Sequence, residues 1–318
     1  MSRSLIHCLY QNQPRWGVQF GQHLALLDAT SANTGEILEQ HWNDIWRIPE
    51  SAATVALKDV QLLSPVTRNQ QLVCQGVNYR SHVQESGLKL SDFPFNTLFT
   101  KAASSLTAAD APVTCPSHVR LLDYEIELGL VLRRNLPEGT QVQADQLHRW
   151  LAGVTIVNDL SARDVQLPQV QFYKGKSYRG FAPVGPCIVL LEPEEWARWP
   201  ELHMRLSVNG QPRQDAYCGD MIHQPAATLN ELASLQDMYA GDLIATGTPA
   251  GCAARAPGKL TMWVAKHLLS EAAKWRMFIR KGTQNPTYLR PGDRITASIR
   301  TDDGAIDLGE QQTQITAP

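Results

Sequence analysis

A chain of 318 residues is long enough for a large hydrophobic core and one or two domains. With 29 lysines and arginines against 31 aspartates and glutamates, the formal net charge is −2, which gives no support for a nucleic acid or other polyanion as partner. Hydrophobic residues at 43 % and charged ones at 19 % describe an ordinary globular chain and exclude a disordered one.

The N-terminus, Met1-Ser2-Arg3-Ser4-Leu5-Ile6-His7-Cys8, has no long apolar core, so no signal peptide is expected. No apolar run approaches the roughly 20 residues needed to span a bilayer, so no membrane partner is expected either. Leu5-Ile6-His7-Cys8-Leu9-Tyr10, Trp16-Gly17-Val18-Gln19-Phe20 and Leu24-Ala25-Leu26-Leu27-Asp28 are short apolar runs between turn residues and read as small antiparallel strands. Residues 34–46 read as a helix with Thr34 as N-cap, and residues 60–66 as a strand leaving through Pro65. Residues 1–65 are therefore read as a small N-terminal domain without clustered chemistry, and 66–318 as the catalytic domain. The six cysteines, Cys8, Cys74, Cys115, Cys187, Cys218 and Cys252, form no C-x-x-C pair, and free thiols in a reducing cytoplasm are expected.

Leu72-Val73-Cys74-Gln75 is an apolar strand running into Gly76-Val77-Asn78-Tyr79. In the following Arg80-Ser81-His82-Val83-Gln84-Glu85, a helix would set His82 and Glu85 side by side, three residues apart. A carboxylate beside an imidazole raises its basicity and fixes its tautomer, as a general base requires; a solvated surface pair is the other reading. Lys101, after Phe99-Thr100, is a candidate anion-binding residue or an ordinary surface lysine.

Asp123-Tyr124-Glu125-Ile126-Glu127-Leu128-Gly129-Leu130-Val131-Leu132 reads as a strand. Alternation places Asp123, Glu125 and Glu127 on one face. That face is either the wet side of an edge strand or a buried one, where carboxylates repel and lose hydration unless a cation or donors compensate. Residues 145–152 read as a short helix. Gly153-Val154-Thr155-Ile156-Val157 is a β-branched strand running into Asn158-Asp159-Leu160-Ser161-Ala162-Arg163-Asp164, where Asp159 is a third oxygen ligand or a capping aspartate. Three carboxylates with water suit Mg²⁺ or Mn²⁺, and the lack of nearby His or Cys argues against zinc.

Downstream, Asn209-Gly210 predicts a tight hairpin after a strand at 202–208, and residues 227–234 a helix. Gly241-Asp242-Leu243-Ile244-Ala245-Thr246-Gly247-Thr248-Pro249 is a strand ending in a loop able to bring backbone N–H groups and a hydroxyl to an oxyanion, or a plain turn. Residues 259–281 read as an amphipathic helix, with Leu260, Val264, Leu268, Trp275, Phe278 and Ile279 on one stripe and a basic opposite face. A closing strand is expected at 295–299.

Taken together and in this order, Gly76-Val77-Asn78-Tyr79 with His82 and Glu85, Phe99-Thr100-Lys101, Asp123 to Leu128, Asn158 to Gln166, Gly175-Lys176-Ser177, Phe181-Ala182-Pro183-Val184-Gly185-Pro186 and Gly241 to Pro249 resemble the fumarylacetoacetate hydrolase family. The resemblance implies a mainly β fold with α+β elements, a mixed β-roll or barrel behind a small N-terminal domain, in a homodimer. It implies one Mg²⁺ (Mn²⁺ or Ca²⁺ as alternatives) held by Glu125, Glu127 and Asp159. His82 and Glu85 would activate water, Lys176 would stabilise an enolate or carbanion, and Tyr79, Lys101, Arg163, Gln166 and Thr248 would bind substrate. The implied reaction is Mg²⁺-dependent hydrolysis of a C–C bond in an acylpyruvate or fumarylpyruvate-type 2,4-diketo acid, as in aromatic catabolism. Decarboxylation, hydration or isomerisation of a 2-oxo acid at the same metal site is the alternative, followed by a non-catalytic family member. Tyr178-Arg179 stands where many members have Phe-Asp.

Overall fold

The computed structural model describes residues 2–29, 33–87, 91, 94–255 and 269–318. The N-terminal apolar runs form an antiparallel meander, β1 (Arg3–Tyr10), β2 (Gln13–Phe20) and β3 (His23–Leu26). Gln11 and Asn12 both take left-handed backbone, φ 50° and 60°, which is the tight primed turn whose twist matches two flanking strands. The expected helix at 34–46 is two helices, α1 (Thr34–Gln40) and α2 (Trp42–Arg47), broken at His41. Its cap is Asn33, whose side chain accepts the Glu36 N–H at 2.9 Å; the Thr34 hydroxyl instead donates to Pro65 O at 3.0 Å.

The chain continues as β4 (Leu72–Gly76), α3 (Arg80–Glu85), β5 (Thr97–Thr100), β6 (Ile126–Leu132), β7 (Leu151–Asn158), α4 (Arg163–Gln169), α5 (Phe172–Lys176), β8 (Ile188–Leu190), β9 (His203–Val208), β10 (Gln211–Tyr217), α6 (Pro225–Leu235), β11 (Leu243–Ala245), α7 (Glu271–Gln284), β12 (Arg294–Arg300) and β13 (Asp307–Thr316). One large sheet runs β3-β2-β1-β8-β7-β6-β11-β4-β5, with β11 parallel to β4 and the other neighbours antiparallel. A second sheet runs β10-β9-β12-β13. The Asn209-Gly210 turn of β9 and β10 has both φ positive, 52° and 75°, as its sequence predicts. β6 and β7 are buried along their whole length. Ile126, Leu128 and Leu130 pack with Met204, Leu206, Ile295 and Ile299 of the second sheet, while Val131 and Val157 pack with Trp16, Val18 and Ile37 on the other face. Each fully buried aliphatic side chain contributes about 1.5–3 kcal/mol to holding these layers together.

This is a mainly β fold of mixed sheets with few helices, as expected. The strand expected at 60–66 shrinks to Gln61–Leu62, and the helix at 145–152 to Leu147–Trp150, because Leu151 already enters β7. In the amphipathic stretch, α7 starts at Glu271 under a Ser270 cap; Leu260, Val264 and Leu268 lie outside the described residues. A division at residue 65 is proposed on the change from the N-terminal meander to the longer chain after it; β1 is nevertheless bonded to β8 of that later part. No described helix is long and apolar enough to cross a membrane.

His7, on β1, is buried, stacks on Trp16 at 4.4 Å between ring centroids, and places Nδ1 2.8 Å from Ser64 O. Burial pushes its pKa below the ordinary 6.5, partly offset by the Ser64 carbonyl. The folded state therefore binds fewer protons at His7 than the unfolded chain, so this contribution is complete above about pH 6.5 and is lost as pH falls from there toward the depressed folded value. The urea midpoint of the wild type is expected to drop between pH 7.5 and 5.5 by more than that of His7→Phe; equal drops would refute it.

Candidate metal-binding active site

Asp123, Glu125, Glu127 and Asp159 are all buried, and three cations reach them, Lys101, Arg163 and Lys176. Backbone geometry brings the carboxylates together. Ile126 of β6 lies opposite Asn158 at the end of β7, the Asp159 N–H donates to Glu125 O at 2.8 Å, and the Glu125 N–H to Asn158 Oδ1 at 3.1 Å. Ladder pairing of β6 begins only at Ile126, so Glu125 stands just outside the strand that sequence alternation assigned to it. Its carboxylate still converges with those of Glu127 and Asp159, whose nearest oxygens lie within 4.8 Å of one another. Thus the buried reading of this face holds and the wet-edge reading does not.

The cations are arranged unevenly. Arg163, the first residue of α4, donates from Nε to Asp123 Oδ2 at 2.8 Å, from Nη1 to Gln166 Oε1 at 2.8 Å, and from Nη2 to Glu125. Lys176, at the end of α5, bridges Glu125 (2.6 Å) and Asp159. Lys101, just past β5, bonds Asp159 and donates to Phe181 O at 2.7 Å. Close packing sets the two helices: a Cβ on Gly175 would lie 2.5 Å from Gln166 Cβ, so only glycine lets α5 bring Lys176 this near α4. Asp123 is held by the N–H groups of Ala253 (2.8 Å), Ala254 (3.0 Å) and its neighbour Tyr124 (2.9 Å).

Burial alone would push Glu125 up, but Arg163 and Lys176 hold it down to about 2. Glu127 goes the other way. Burial, with Asp159 and Glu125 beside it, pushes its carboxyl well above the usual range. Among the described residues no lysine, arginine or histidine pairs with it; it accepts the Gly247 N–H at 2.9 Å. A buried acid with no direct cationic partner among the described residues, opposed by two others and only partly relieved by Lys176, is what a cation would satisfy. Oxygens bonded at about 2.0–2.6 Å to one Mg²⁺, Mn²⁺ or Ca²⁺ ion lie at most about 4–5 Å from one another, a limit the triad meets, so it fits a hard divalent cation. It is the one such group among the described residues. For Lys176, burial opposes the charge, but Asp159 and Glu125 prevail and hold the ammonium protonated.

The other expected residues sit around this centre. His82 and Glu85 are both on α3, yet the Glu85 carboxylate accepts the Gly251 N–H at 2.7 Å and lies 3.5 Å from Arg255 Nε. His82 Nδ1 is buried with no partner among the described residues. Burial lowers the His82 pKa, with Glu125 and Glu85 drawing it up and Arg163 down, so the ring is neutral at pH 7. Thr248 is joined to the glutamate strand through Ile126 O, which accepts its hydroxyl at 2.9 Å. Tyr79 is fully buried and turns its hydroxyl to Met204 Sδ at 3.7 Å. Sequence reasoning assigned no role to Gln214, which is buried and bonds Ile126 and Thr248; a lone glutamine in a hairpin strand carries no motif. Cys74 and Cys252 lie near the acids, but burial, then Asp159 and Asp123 respectively, raises both thiols well above their usual values, so neither supplies a thiolate.

A family model described as fumarylacetoacetate (FAA) hydrolase C-terminal matches residues 71–316. An uncharacterized protein of Staphylococcus aureus (strain USA300) is 32% identical over 248 residues, covering 77% of this chain and 70% of its own length. The structure of a fumarylacetoacetate hydrolase from Exiguobacterium antarcticum is similar with a TM-score of 0.75 at 27% identity, covering 99% of this chain and 100% of that one. A probable 2-hydroxyhepta-2,4-diene-1,7-dioate isomerase from Mycobacterium abscessus gives 0.72 at 25% identity, covering 100% and 99%.

Proposed function

The chain belongs to the fumarylacetoacetate hydrolase family, and on that footing we propose that it is a Mg²⁺-dependent hydrolase cleaving a C–C bond in an acylpyruvate or fumarylpyruvate-type 2,4-diketo acid. The observation that carries this reading is the buried Glu125, Glu127 and Asp159 triad with Lys176 laid across two of its members. Glu125, Glu127 and Asp159 would hold the ion, which when bound polarises the oxygens of a 2-oxo acid and provides an electron sink. Lys176 holds a fixed positive charge where an enolate develops. Neutral His82 takes a proton from water. Arg163 and Gln166, bonded to each other, would bind a substrate carboxylate through their remaining N–H groups, with Lys101 on Asp159 as a further cation of the site. Tyr79 and Thr248 are proposed as further substrate contacts. Buried free thiols support a cytoplasmic setting, and a homodimer is part of the proposal.

One observation favours a second reading. Glu85 is bonded to Gly251 and faces Arg255, so among the described residues it acts on His82 only through space and is not hydrogen-bonded to it as a strong base would require. Decarboxylation of a 2-oxo acid needs an electron sink but no water-activating base, and isomerisation moves a proton without adding water; hydration at the same metal site would still need one. The structural likeness to an isomerase is compatible with it. The test is turnover of acetylpyruvate, fumarylpyruvate and oxaloacetate, followed by ultraviolet absorbance with Mg²⁺ or EDTA. EDTA-sensitive pyruvate release from an acylpyruvate supports the hydrolase; turnover of oxaloacetate alone moves the assignment to a decarboxylase. His82→Ala is expected to lower hydrolysis by about 10²–10⁴-fold, the usual contribution of a general base. Undiminished hydrolysis in that variant would remove His82 from the chemistry.

A further inference from the structure

β6 is paired with β7 from Ile126 to Leu132, but with β11 only from Gly129 to Val131. Past Ala245 the chain leaves the ladder in two steps. Thr246 still gives its N–H (3.0 Å) and hydroxyl (2.8 Å) to Leu128 O. Gly247, with φ +86°, then swings its N–H out of the ladder onto the Glu127 carboxylate. A side chain there would be strained and would meet Asn78 Cβ at 3.0 Å.

The diversion leaves Ile126, the residue between the two glutamates, without a strand partner on that side among the described residues. Side chains take the place of the missing backbone. Ile126 O accepts the Thr248 hydroxyl at 2.9 Å, and the Ile126 N–H donates to Gln214 Oε1 at 3.0 Å. Gln214 Nε2 donates onward to Thr248 Oγ1 (2.8 Å) and Pro249 O (3.1 Å). Gln214 is 1 % exposed and comes from β10, in the other sheet. A primary amide is costly to bury unless its oxygen and both N–H groups are bonded, and here all three are used.

We propose that Gln214 is a positioning residue for the metal centre: it closes the open edge of β6 at Ile126 and so fixes the separation of Glu125 and Glu127. It also sets the chemistry of Thr248. A hydroxyl has one proton to give; Thr248 spends it on Ile126 O and receives Gln214, so it meets a ligand as an acceptor, from a substrate hydroxyl or enol. The inference rests on the metal reading above and deepens it.

The test is Gln214→Met, which keeps length and volume without the amide, with Mg²⁺ affinity measured by calorimetry and hydrogen exchange measured on the peptide containing Ile126. Expected are faster exchange at Ile126 and Mg²⁺ binding weakened by about 10–100-fold, the usual cost of removing a group that orients ligands. Should Gln214→Met fail to fold, Thr248→Val removes the other side-chain tie and is expected to weaken Mg²⁺ binding likewise, with Thr248→Ser restoring it. Wild-type Mg²⁺ affinity in Gln214→Met or Thr248→Val, with only thermal stability lowered, overturns the positioning role. Unchanged exchange at Ile126 overturns the clamp itself. A wild-type chain that binds neither Mg²⁺ nor Mn²⁺ overturns the metal reading and this role with it, and the wild-type titration separates that outcome from the other two.

Discussion

Glu127→Gln is expected to weaken Mg²⁺ binding by about 10²-fold or more and to abolish turnover at ordinary Mg²⁺ concentrations, since it removes a carboxylate that bonds the ion itself rather than one that merely orients a ligand. The same substitution should make the metal-free protein more stable. In EDTA the wild type carries a buried carboxylate whose neighbours are two further acids and whose one described donor is the Gly247 amide. Glutamine keeps the shape and the acceptor for that amide while removing the acid whose ionisation burial, Asp159 and Glu125 penalise. A gain of about 1–3 kcal/mol follows, the scale on which a buried polar group lacking its partner costs stability. Urea unfolding in EDTA reads this directly. A variant less stable than the wild type in EDTA, or one that keeps wild-type Mg²⁺ affinity, would rule out Glu127 as the uncompensated ligand.

Lys176→Met should behave in the opposite way. Its ammonium is shared by Glu125 and Asp159, all three groups being buried. Breaking a buried pair costs up to about 3–5 kcal/mol, although Arg163 and Lys101 remain on the two acids and reduce the loss. In EDTA the urea midpoint should therefore fall, whereas Mg²⁺ should bind at least as tightly, because two ligands have lost a competing cation. Turnover should drop by about 10²–10³-fold at saturating Mg²⁺, the usual effect of removing one group that stabilises developing negative charge. Near-normal kcat in Lys176→Met would exclude Lys176 from the reacting centre, and weakened Mg²⁺ binding would make it a structural support. The contrast between the two variants in EDTA is itself informative, since general disruption of the core would destabilise both.

Much of this was legible in the chain because each piece has a local signature. Two glutamates at strand spacing, an aspartate at the end of a β-branched run, and a glycine before a lysine were readable, as was the Asn209-Gly210 hairpin. What sequence could not supply was whether the glutamate face was wet or dry. That depends on β11 and β7 lying on either side of β6, which no window of residues reports. The His82 and Glu85 spacing identified neighbours on α3 correctly as positions, but the Glu85 carboxylate found a nearer donor in the Gly251 amide, from a loop 166 residues away. Gln214 was invisible for the same reason: its meaning lies in Ile126 and Thr248, at sequence separations of 88 and 34. At 34–46 the asparagine beside Thr34 was the better cap, and the threonine hydroxyl was drawn to the Pro65 carbonyl.

The parallel pairing of β11 with β4 also bears on how the chain is made. Gln71 and Asp242, which bond at the start of this pairing, are 171 residues apart. At ribosomal speeds of about 5–20 residues per second, β4 waits roughly 10–30 s after its synthesis before its partner emerges. Its hairpin with β5 forms early and satisfies one edge, but the other edge, Leu72-Val73-Cys74, stays open and apolar throughout. An open apolar edge invites pairing with another nascent chain. Newly made protein should thus be most prone to aggregate before residue 245 is translated, and truncations ending short of β11 should partition into the insoluble fraction while chains extending beyond it do not.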